Sequence, residues 1–343
     1  MDPFALRRLG RTGLELPRLG LGGAALGNIF NTIPDSQSDA TIDAAWDAGV
    51  RFYDTSPWYG RGLSEHRIGQ GLYLRPPGEV IVSTKVGRVL FAPDDVAAFE
   101  SSERSWPNGL KFQHRHDYTY AGIMRSYEDS LHRLRRNRVD LLVIHDLDLA
   151  NLGSEELVAH HLDDLDKGGG MRALEELKSA GLIKAIGAGV NRMGTIPRFL
   201  ARFDLDFLLV ALPYTLAEQP VLDAEFPACE ERGVGVVIGG VFASGILATG
   251  PIPGARYNYA IANEEQLARV GRMQAVCERH GVPLAAAALQ FTLHHRIVAS
   301  VIPGAFHPDH PRRNVDSMRV EIPADLWAEL KHAGLLRADA PTP

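Results

Sequence analysis

Short apolar runs rich in β-branched residues alternate along the chain with longer segments of helical periodicity. Eight such runs predict strands, at residues 19–22, 51–54, 80–84, 139–144, 185–190, 207–212, 235–238 and 298–302. Most are continuously apolar, as in VDLLVIH, DFLLVAL and GVVIGG, which is typical of parallel strands buried on both faces. The pattern therefore predicts an eight-stranded parallel sheet.

Helical segments lie between these runs. The clearest covers 121–136, where Ile123, Tyr127 and Leu131 fall on one face. The others cover 38–48, 64–72, 170–179, 221–231, 264–280 and 284–295. Alternation of strand and helix predicts an α/β protein built as a single (β/α)8 barrel, a TIM barrel, over residues 1–343 as one domain.

Three segments break the alternation. The N-terminal FALRRLGRTGLELPRLG holds RTG between two short alternating runs and predicts a β-hairpin that plugs one end of the barrel. Residues 87–118 and 242–263 are long and irregular, and loops of this length in a compact domain are usually functional. We expect them to be long βα loops at the C-terminal face.

Composition narrows the classes of partner. With 36 basic and 42 acidic side chains the formal charge is -6, which gives no broad attraction for nucleic acid. No apolar stretch approaches the ~20 residues of a membrane span, and the N-terminus lacks the apolar core of a signal peptide. Cys229 and Cys277 lie far apart, outside any disulfide framework. We expect a cytoplasmic protein with neither nucleic acid nor membrane as partner, and the oligomeric state stays open.

One motif suggests a different fold. GLGGAA at 20–25 loosely matches the dinucleotide fingerprint of a Rossmann domain. In that fold the motif opens directly into a helix and meets an acidic residue about 20 positions later. Here the loop NIFNTIPDS intervenes and the next strand end carries Asp54, well beyond that spacing. The Rossmann interpretation is therefore disfavoured.

Titratable side chains stand at the predicted ends of three successive strands. Asp54 ends the second strand, with Tyr59 following in FYDTSPWYG; Lys85 ends VSTK and His145 follows the fourth strand in VIHD. Singly, each has a structural explanation as a helix cap, a packed ring or a solvated charge. Because barrel strands end at one mouth, together they predict an acid–base centre. A free phenol has a pKa of about 10, and we expect Lys85 to lower it, Asp54 to hold Lys85, and His145 to orient the reacting oxygen.

FYDTSPWYG, VSTK and VIHD resemble the Asp, Tyr, Lys and His tetrad of the aldo-keto reductase family. The resemblance extends to LGRTGLELPRLGLGG at the N-terminus, to MRSYEDSLHRLRRNRVDLLVIHD and to the closing VIPG. It implies an NAD(P)-dependent dehydrogenase or reductase in which Tyr59, Lys85, Asp54 and His145 are catalytic. The nicotinamide would lie over these four residues.

The same resemblance implies a set of cofactor-binding residues. Asn191 would hydrogen-bond the carboxamide and Tyr214 would stack on the nicotinamide, with a packed core aromatic as the alternative for Tyr214. Val190 and Ala211 stand where the family usually has serine and glutamine. The loop GGVFASGIL would wrap the pyrophosphate, since small residues let backbone N–H groups approach phosphate. Its residues are Gly239, Gly240, Val241, Phe242, Ser244, Gly245 and Leu247.

The choice between NAD and NADP depends on the segment after the eighth strand, IPGAFHPDHPRRN. Compared with NADP-preferring members, Gly304 replaces a lysine, His310 an arginine and Arg313 a glutamate, before Asn314. Losing two cations removes charge-assisted bonds to a 2′-phosphate. The resemblance thus predicts NAD as the preferred cofactor, with NADP possible through Arg312 or Arg313.

Residues 87–118 and the segments GSEE and GARYNY resemble a subgroup containing aldose 1-dehydrogenases, of the L-fucose and D-threo-aldose type, and pyridoxal 4-dehydrogenase. This implies oxidation of the anomeric carbon of an aldose to a lactone, with Tyr59 as general base. Pyridoxal oxidation and aldehyde or ketone reduction stay open, as does a non-catalytic, cofactor-binding regulatory subunit. We expect Trp58, Trp106 and Phe112 to contact the sugar or aldehyde substrate.

Histidines are paired at 114 and 116, at 160–161 and at 294–295. None of these pairs has, nearby in sequence, the carboxylate or cysteine set of a closed metal site. We therefore expect no metal.

Overall fold

The computed structural model describes residues 1–102, 105–106 and 108–343. In chain order the strands are β1 (Leu6–Arg8), β2 (Glu15–Pro17), β3 (Leu21–Gly22), β4 (Phe52–Asp54), β5 (Ile81–Val86), β6 (Arg88–Phe91), β7 (Gln113–His116), β8 (Leu141–Ile144), β9 (Ala185–Val190), β10 (Phe207–Ala211), β11 (Gly235–Gly239), β12 (Arg256–Tyr257), β13 (Ala260–Ile261) and β14 (Val298–Val301).

The helices are α1 (Asp35–Asp47), α2 (Leu63–Leu72), α3 (Val96–Ser102), α4 (Tyr120–Leu134), α5 (Leu149–Leu152), α6 (Glu155–Asp166), α7 (Gly170–Ser179), α8 (Thr195–Leu200), α9 (Glu225–Glu231), α10 (Ile246–Thr249), α11 (Glu264–Arg279), α12 (Leu284–Thr292), α13 (Asp309–Arg319) and α14 (Ala324–His332). Among the residues described here, no helix combines the length and the apolar character that crossing a membrane requires.

The central sheet is a parallel barrel. Its strands follow chain order, from β3 through β4, β5, β8, β9, β10 and β11 to β14. Parallel bridges join Leu19 to Val301 and Gly22 to Gly304, so the first strand meets the last. Packing is tight there, because a Cβ at Gly22 would lie 2.7 Å from the carbonyl oxygen of Ile302. The eight predicted strands and the barrel are confirmed.

The predicted N-terminal hairpin closes one end of this barrel. β1 and β2 pair antiparallel, and Leu9 and Leu16 are fully buried in the cluster that fills the barrel interior, with Phe52 and Phe207. Gly10 has a left-handed φ of +52°, and a Cβ there would lie 2.5 Å from the backbone nitrogen of Gly235. The hairpin therefore plugs the end where the strands begin, leaving the opposite mouth for chemistry.

The two irregular regions contain more structure than the sequence pattern predicts. β6 and β7 form an antiparallel hairpin inside residues 87–118, and β12 and β13 form another inside 242–263. The predicted helix at 221–231 is shorter, because a 3-10 turn at Pro220–Leu222 precedes α9. The pattern also missed the short helices α3, α5, α8 and α10 and the longer helices α6, α13 and α14. In α13 the sequence DHPRRNVDSMR buries only three residues, too few to give a clear apolar stripe.

Candidate active site

Three adjacent strands bring the predicted tetrad to one mouth. Asp54 ends β4, Lys85 lies near the end of β5, and His145 directly follows β8. The Nζ of Lys85 lies 2.7 Å from Oδ2 of Asp54 and donates a second bond of 2.7 Å to the carbonyl of Thr55. Both charged side chains are almost completely buried. As expected, Asp54 holds and neutralises Lys85.

Tyr59 lies over this ion pair in the loop after β4. The Nζ of Lys85 is 4.6 Å from the centre of the phenol ring. The ring of His145 meets the phenol edge-on, with centroids 5.8 Å apart and planes at 87°. The structure thus brings together all four residues that the sequence placed at successive strand ends.

The acidity of Tyr59 differs from the expectation. Its pKa is raised well above the usual value, first by burial, then by the charges of Asp54 and Asp146, and only Arg88 opposes this. The prediction that Lys85 lowers the pKa of this phenol is wrong in the protein alone. The physical reason is that Lys85 is already compensated by Asp54, whose carboxylate acts in the opposite direction. Tyr59 is therefore protonated at neutral pH.

His145 is held as a neutral imidazole. Its pKa is lowered well below the usual value by burial, and further by the charges of Lys85 and Arg88. Nδ1 lies 3.0 Å from Oγ of Ser56, and Nε2 lies 3.3 Å from Oδ2 of Asp146. The 3.3 Å contact with Asp146 is not a hydrogen bond, but the negative charge of the carboxylate favours a hydrogen on Nε2, which leaves Nδ1 to accept from the Ser56 hydroxyl. An Nε2–H group is a donor suited to a substrate oxygen.

Sequence reasoning missed a second buried ion pair beside the tetrad. Arg88, the first residue of β6, donates to Oδ2 of Asp146 at 2.9 Å, and both are buried. Asp146 follows His145 in the VIHD motif, where only the histidine was assigned a role. Arg88 lies in a region interpreted as irregular, so no strand pattern indicated where its side chain points.

The three residues expected to contact substrate differ in position. Trp106 is 4% exposed and packs against both Trp58 and Tyr59, with ring centroids 6.2 and 6.1 Å apart. Trp58 also lies 4.2 Å below the guanidinium of Arg88. Phe112 is 38% exposed on the approach to β7. The two tryptophans therefore form an aromatic wall beside the phenol, whereas Phe112 lies at the surface.

The loop after β11 has the backbone of a phosphate cradle. Gly240, Ala243, Ser244 and Gly245 all have left-handed φ, between +48° and +116°. Left-handed residues that follow right-handed ones, as Ala243 follows Phe242, turn neighbouring N–H groups toward one concavity, which suits an anion. Val241 and Leu247 are fully buried, so only their main chains are available, whereas Phe242 is half-buried. Gly239 is the last residue of β11.

Tyr214 is not at the mouth. It is 0% exposed and packs against Phe226 and Phe291, with ring centroids 4.9 and 5.3 Å away. Leu212, just after β10, adopts a left-handed φ of +72° and turns the chain, and Tyr214 lies among the helices instead of over the barrel. The prediction that Tyr214 stacks on a nicotinamide is therefore wrong, and the core-aromatic alternative holds.

Another tyrosine, Tyr259, stands near the mouth. It forms the tip of the β12–β13 hairpin with Asn258, both with left-handed φ, and its N–H donates to Oγ of Ser244 at 2.8 Å. Its ring contacts Phe30 at 6.4 Å, so the hairpin reaches from the loop after β11 to the loop after β3. The side chain of Tyr259 is 48% exposed. The only sequence signal was GARYNY, which carried no assigned role.

Two further groups of predicted cofactor residues keep their expected places. Asn191 follows β9 and donates to Oδ1 of Asp146 at 2.9 Å, which leaves its own carbonyl oxygen for another partner. After β14, Gly304 pairs with Gly22 at the barrel seam. The remaining residues lie on α13. They are His310, Arg313 and Asn314.

The cationic charge on α13 is partly offset, since Arg312, Arg313 and Arg319 share the helix with Asp309 and Asp316. Burial lowers the pKa of His310, and nearby His307 and Arg313 lower it further. Arg313 lies 3.8 Å from the carboxylate of Asp309, which begins the helix. A 2′-phosphate would therefore meet a neutral imidazole and a partly compensated guanidinium.

The histidine pairs are less isolated than the sequence suggests. Nδ1 of His161 lies 2.8 Å from Oδ2 of Asp164 and Nε2 of His160 lies 3.8 Å from it, all on α6. Within the described part of the chain, this is the one cluster with the ligand atoms of a metal site close together. One turn of helix brings Asp164 close to both rings, which gives three ligand atoms and not the four of a closed structural site. The expectation of no metal stays a prediction.

A closed parallel barrel with charged groups at the carboxyl ends of its strands defines an α/β-barrel enzyme. The chain belongs to the aldo/keto reductase family, whose model matches residues 18–334. It is an oxidoreductase of a family that uses nicotinamide cofactors.

Two relatives match nearly the whole chain. The pyridoxal 4-dehydrogenase of Microbacterium luteolum is 40% identical over 337 residues, covering 96% of this chain and 97% of that protein. The D-threo-aldose 1-dehydrogenase of a Pseudomonas species is 39% identical over 333 residues, with the same coverage. These names favour a dehydrogenase over the non-catalytic regulatory subunit.

Solved structures have the same fold. The holo form of an aldo-keto reductase from Bacillus halodurans superposes with a TM-score of 0.73 and 25% identity, covering 98% of both chains. The glycerol dehydrogenase of Gluconobacter oxydans superposes with a TM-score of 0.71 and 23% identity, covering 100% of this chain and 98% of that one. The second likeness supports the fold alone.

Proposed function

We propose that this protein is an NAD-preferring dehydrogenase, acting as one barrel domain over residues 1–343. It oxidises the anomeric carbon of an aldose, such as L-fucose or a D-threo-aldose, to a lactone. The observation that carries the proposal is the group formed by Tyr59, the buried Lys85–Asp54 pair and neutral His145 at one barrel mouth. The name of the D-threo-aldose relative supports the substrate class.

The residues would divide the work as follows. The Nε2–H of His145 donates to the anomeric hydroxyl oxygen and fixes its position. Tyr59 takes the hydroxyl proton as general base while the hydrogen on C1 leaves as hydride. Lys85, held by Asp54, lies 4.6 Å from the centre of the phenol ring and helps to fix the position of Tyr59. The hydride would reduce the nicotinamide, and the other products are a lactone and a proton held on the Tyr59 oxygen.

The residues present fit a nicotinamide dinucleotide. When bound, this cofactor supplies a two-electron acceptor for the hydride. The left-handed loop from Gly239 to Leu247 would hold the pyrophosphate through its N–H groups, and Ser244 adds a hydroxyl. Asn191 would bind the carboxamide, with its amide group already aimed by Asp146.

NAD is favoured over NADP by the charge balance of α13. Gly304 offers no side chain, His310 is neutral, and Arg313 is partly compensated by Asp309. Asp309, at the start of α13, would repel a 2′-phosphate bound beside this helix and would accept hydrogen bonds from ribose hydroxyls. A large kinetic advantage for NADP over NAD would contradict this preference.

Two other reactions have specific support. Pyridoxal oxidation is supported by the Microbacterium relative and by Trp58 and Trp106, which suit an aromatic substrate as well as a sugar face. Aldehyde or ketone reduction is supported by the raised pKa of Tyr59, because reduction uses the protonated phenol. The exposed Phe112 would contribute only to a large substrate.

A substrate panel tests the proposal. L-fucose, D-arabinose, L-galactose, pyridoxal and simple aldehydes are assayed with NAD and NADP by nicotinamide absorbance, and Tyr59→Phe is the control. Highest kcat/KM for an aldose with NAD supports the proposal, and highest kcat/KM for pyridoxal would replace it with pyridoxal oxidation.

We further propose a cytoplasmic location, supported by two buried free thiols, Cys229 and Cys277.

A further inference from the structure

Asp146 is placed unusually for a residue that follows a strand. Side chains of consecutive strand residues point to opposite faces, so His145 and Asp146 would ordinarily diverge. Asp146 instead has a left-handed φ of +47°, which costs a non-glycine residue roughly 1–2 kcal/mol. This turn brings its carboxylate to 3.3 Å from Nε2 of the preceding histidine. Backbone strain of this kind persists only where surrounding contacts hold it.

Those contacts are specific. Oδ2 of Asp146 accepts from Arg88 at 2.9 Å and lies within reach of His145, while Oδ1 accepts from Asn191 at 2.9 Å. A carboxylate offers about four acceptor positions. Two are used inside the protein, by Arg88 and Asn191, and the Nε2 of His145 lies 3.3 Å from the same carboxylate. Asp146, Arg88 and His145 are each at least nine-tenths buried.

Arg88 reaches this position because the chain turns sharply after β5. Gly87 has a φ of +100°, and a Cβ there would lie 2.1 Å from the ring of Tyr118. The turn starts the β6–β7 hairpin and points Arg88 back toward the mouth, over Trp58 and within 3.2 Å of Oδ1 of Asn151. The pair is thus built by an insertion between two barrel strands.

We propose that Asp146, held by Arg88, is a positioning residue that fixes the Nε2–H form of His145 and aims the amide of Asn191. The proposal rests on the proposed function, because His145 and Asn191 are the groups that would meet substrate and cofactor. Its consequence is that the mouth contains two buried carboxylate–cation pairs, Asp54–Lys85 and Asp146–Arg88. The first supports the phenol and the second supports the imidazole and amide.

The test compares Asp146→Asn with Asp140→Asn. Asp140 is a matched control: it stands at the other end of β8, is buried, and pairs with Lys184 and with the N–H of Val82. We expect Asp146→Asn to lower kcat about ten- to a hundredfold, as misplacement of a reacting group does. Asp140→Asn should lower stability and leave kcat of the folded enzyme within about twofold of the original.

The pH profile separates positioning from a structural role. The groups around Tyr59 are Asp54, Lys85, His145, Asp146, Arg88 and Tyr259. Removing the negative charge of Asp146 should move the rise of oxidation rate to lower pH. Removing the positive charge in Arg88→Gln should move it to higher pH. Shifts in the same direction, or no shift in either variant, would overturn the proposal.

A measurement without turnover keeps this inference separate from the proposed function. Long-range nitrogen–proton NMR of the imidazole rings reports which nitrogen of His145 carries hydrogen. We expect Nε2–H in the original protein and a mixture of tautomers in Asp146→Asn. An unchanged His145 spectrum in Asp146→Asn would overturn the inference even if the enzyme oxidises sugars. Inactivity of the original protein on every panel substrate would instead defeat only the proposed function.

Discussion

The mouth of the barrel has two unlike halves. At the ends of β4, β5 and β8, the candidate site consists of buried side chains joined by short bonds, as in Lys85 with Asp54 at 2.7 Å. After β11, the candidate site depends on the backbone, with left-handed residues such as Gly240 and Gly245 forming a concavity. The first half resists change because each charge has a buried partner. The second half tolerates substitution poorly at Gly240 and Gly245, because a Cβ there would strain the left-handed backbone.

The two halves also differ in what they can bind. Fixed charges around Tyr59 suit the transfer of a proton over a short distance, because small errors in the positions of donor and acceptor lower the rate strongly. A ring of N–H groups suits a phosphate, whose charge is spread over several oxygens. Substitutions should therefore affect kcat in one half and cofactor affinity in the other.

The largest effect should come from Tyr59→Phe. Removing the hydroxyl removes the only proposed proton carrier, so turnover should fall about 10²- to 10⁴-fold. NADH affinity, measured by fluorescence, should stay unchanged because the ring remains. Near-normal turnover in this variant would end the acid–base interpretation of the side-chain half.

Asp54→Asn should combine lost activity with lost stability. It leaves Lys85 buried without its carboxylate, which typically costs about 3–5 kcal/mol of unfolding free energy. Asp43→Asn is the control, since it breaks an exposed pair with Arg75 worth at most about 1 kcal/mol. Equal losses of unfolding free energy in the two variants, measured by urea denaturation, would contradict a special role for the buried pair.

The pH dependence should differ between the two reaction directions. The pKa of Tyr59 is raised, so the base form needed for oxidation is scarce at neutral pH and its rate should rise with pH, approaching tenfold per unit. Reduction uses the protonated phenol and should stay level across neutral pH. Titration of His145 should not change either rate across neutral pH, because its pKa lies well below neutrality. An oxidation rate that is level from mildly acidic to alkaline pH would argue against Tyr59 as the base.

Gly245→Ala tests the backbone half. The left-handed φ of +116° strains any residue with a Cβ, although nothing lies within 4 Å of that position. We expect NADH to bind about tenfold more weakly, in proportion to roughly 1–2 kcal/mol of strain. Gly181→Ala carries similar strain at +71° in open space after α7 and should leave NADH binding intact.

The smallest effect on the site should come from Tyr214→Leu. Because Tyr214 is packed in the core, the loss should appear as about 2–4 kcal/mol of unfolding free energy. The NADH dissociation constant of the folded variant should change less than about twofold. A marked loss of NADH affinity would indicate instead that Tyr214 contacts the cofactor at the mouth.

Local sequence determined the strands and the order of the tetrad. Continuous apolar runs such as LLVI can only be buried, and parallel strands must end together, so Asp54, Lys85 and His145 had to meet. The hairpin plug followed from RTG between alternating runs. These features depend on neighbours in sequence or on a rule of the fold.

The remaining features were decided by tertiary contacts. Whether Tyr214 faces a ligand or the core depends on one left-handed residue, Leu212, and on helices far along the chain. The raised pKa of Tyr59 depends first on burial and then on the charges of Asp54 and Asp146, which come from two different strand ends. Arg88 reaches Asp146 only through the turn at Gly87. Periodicity specifies which face of a strand is buried, but the direction of a single side chain beyond the strand end is settled by what packs against it.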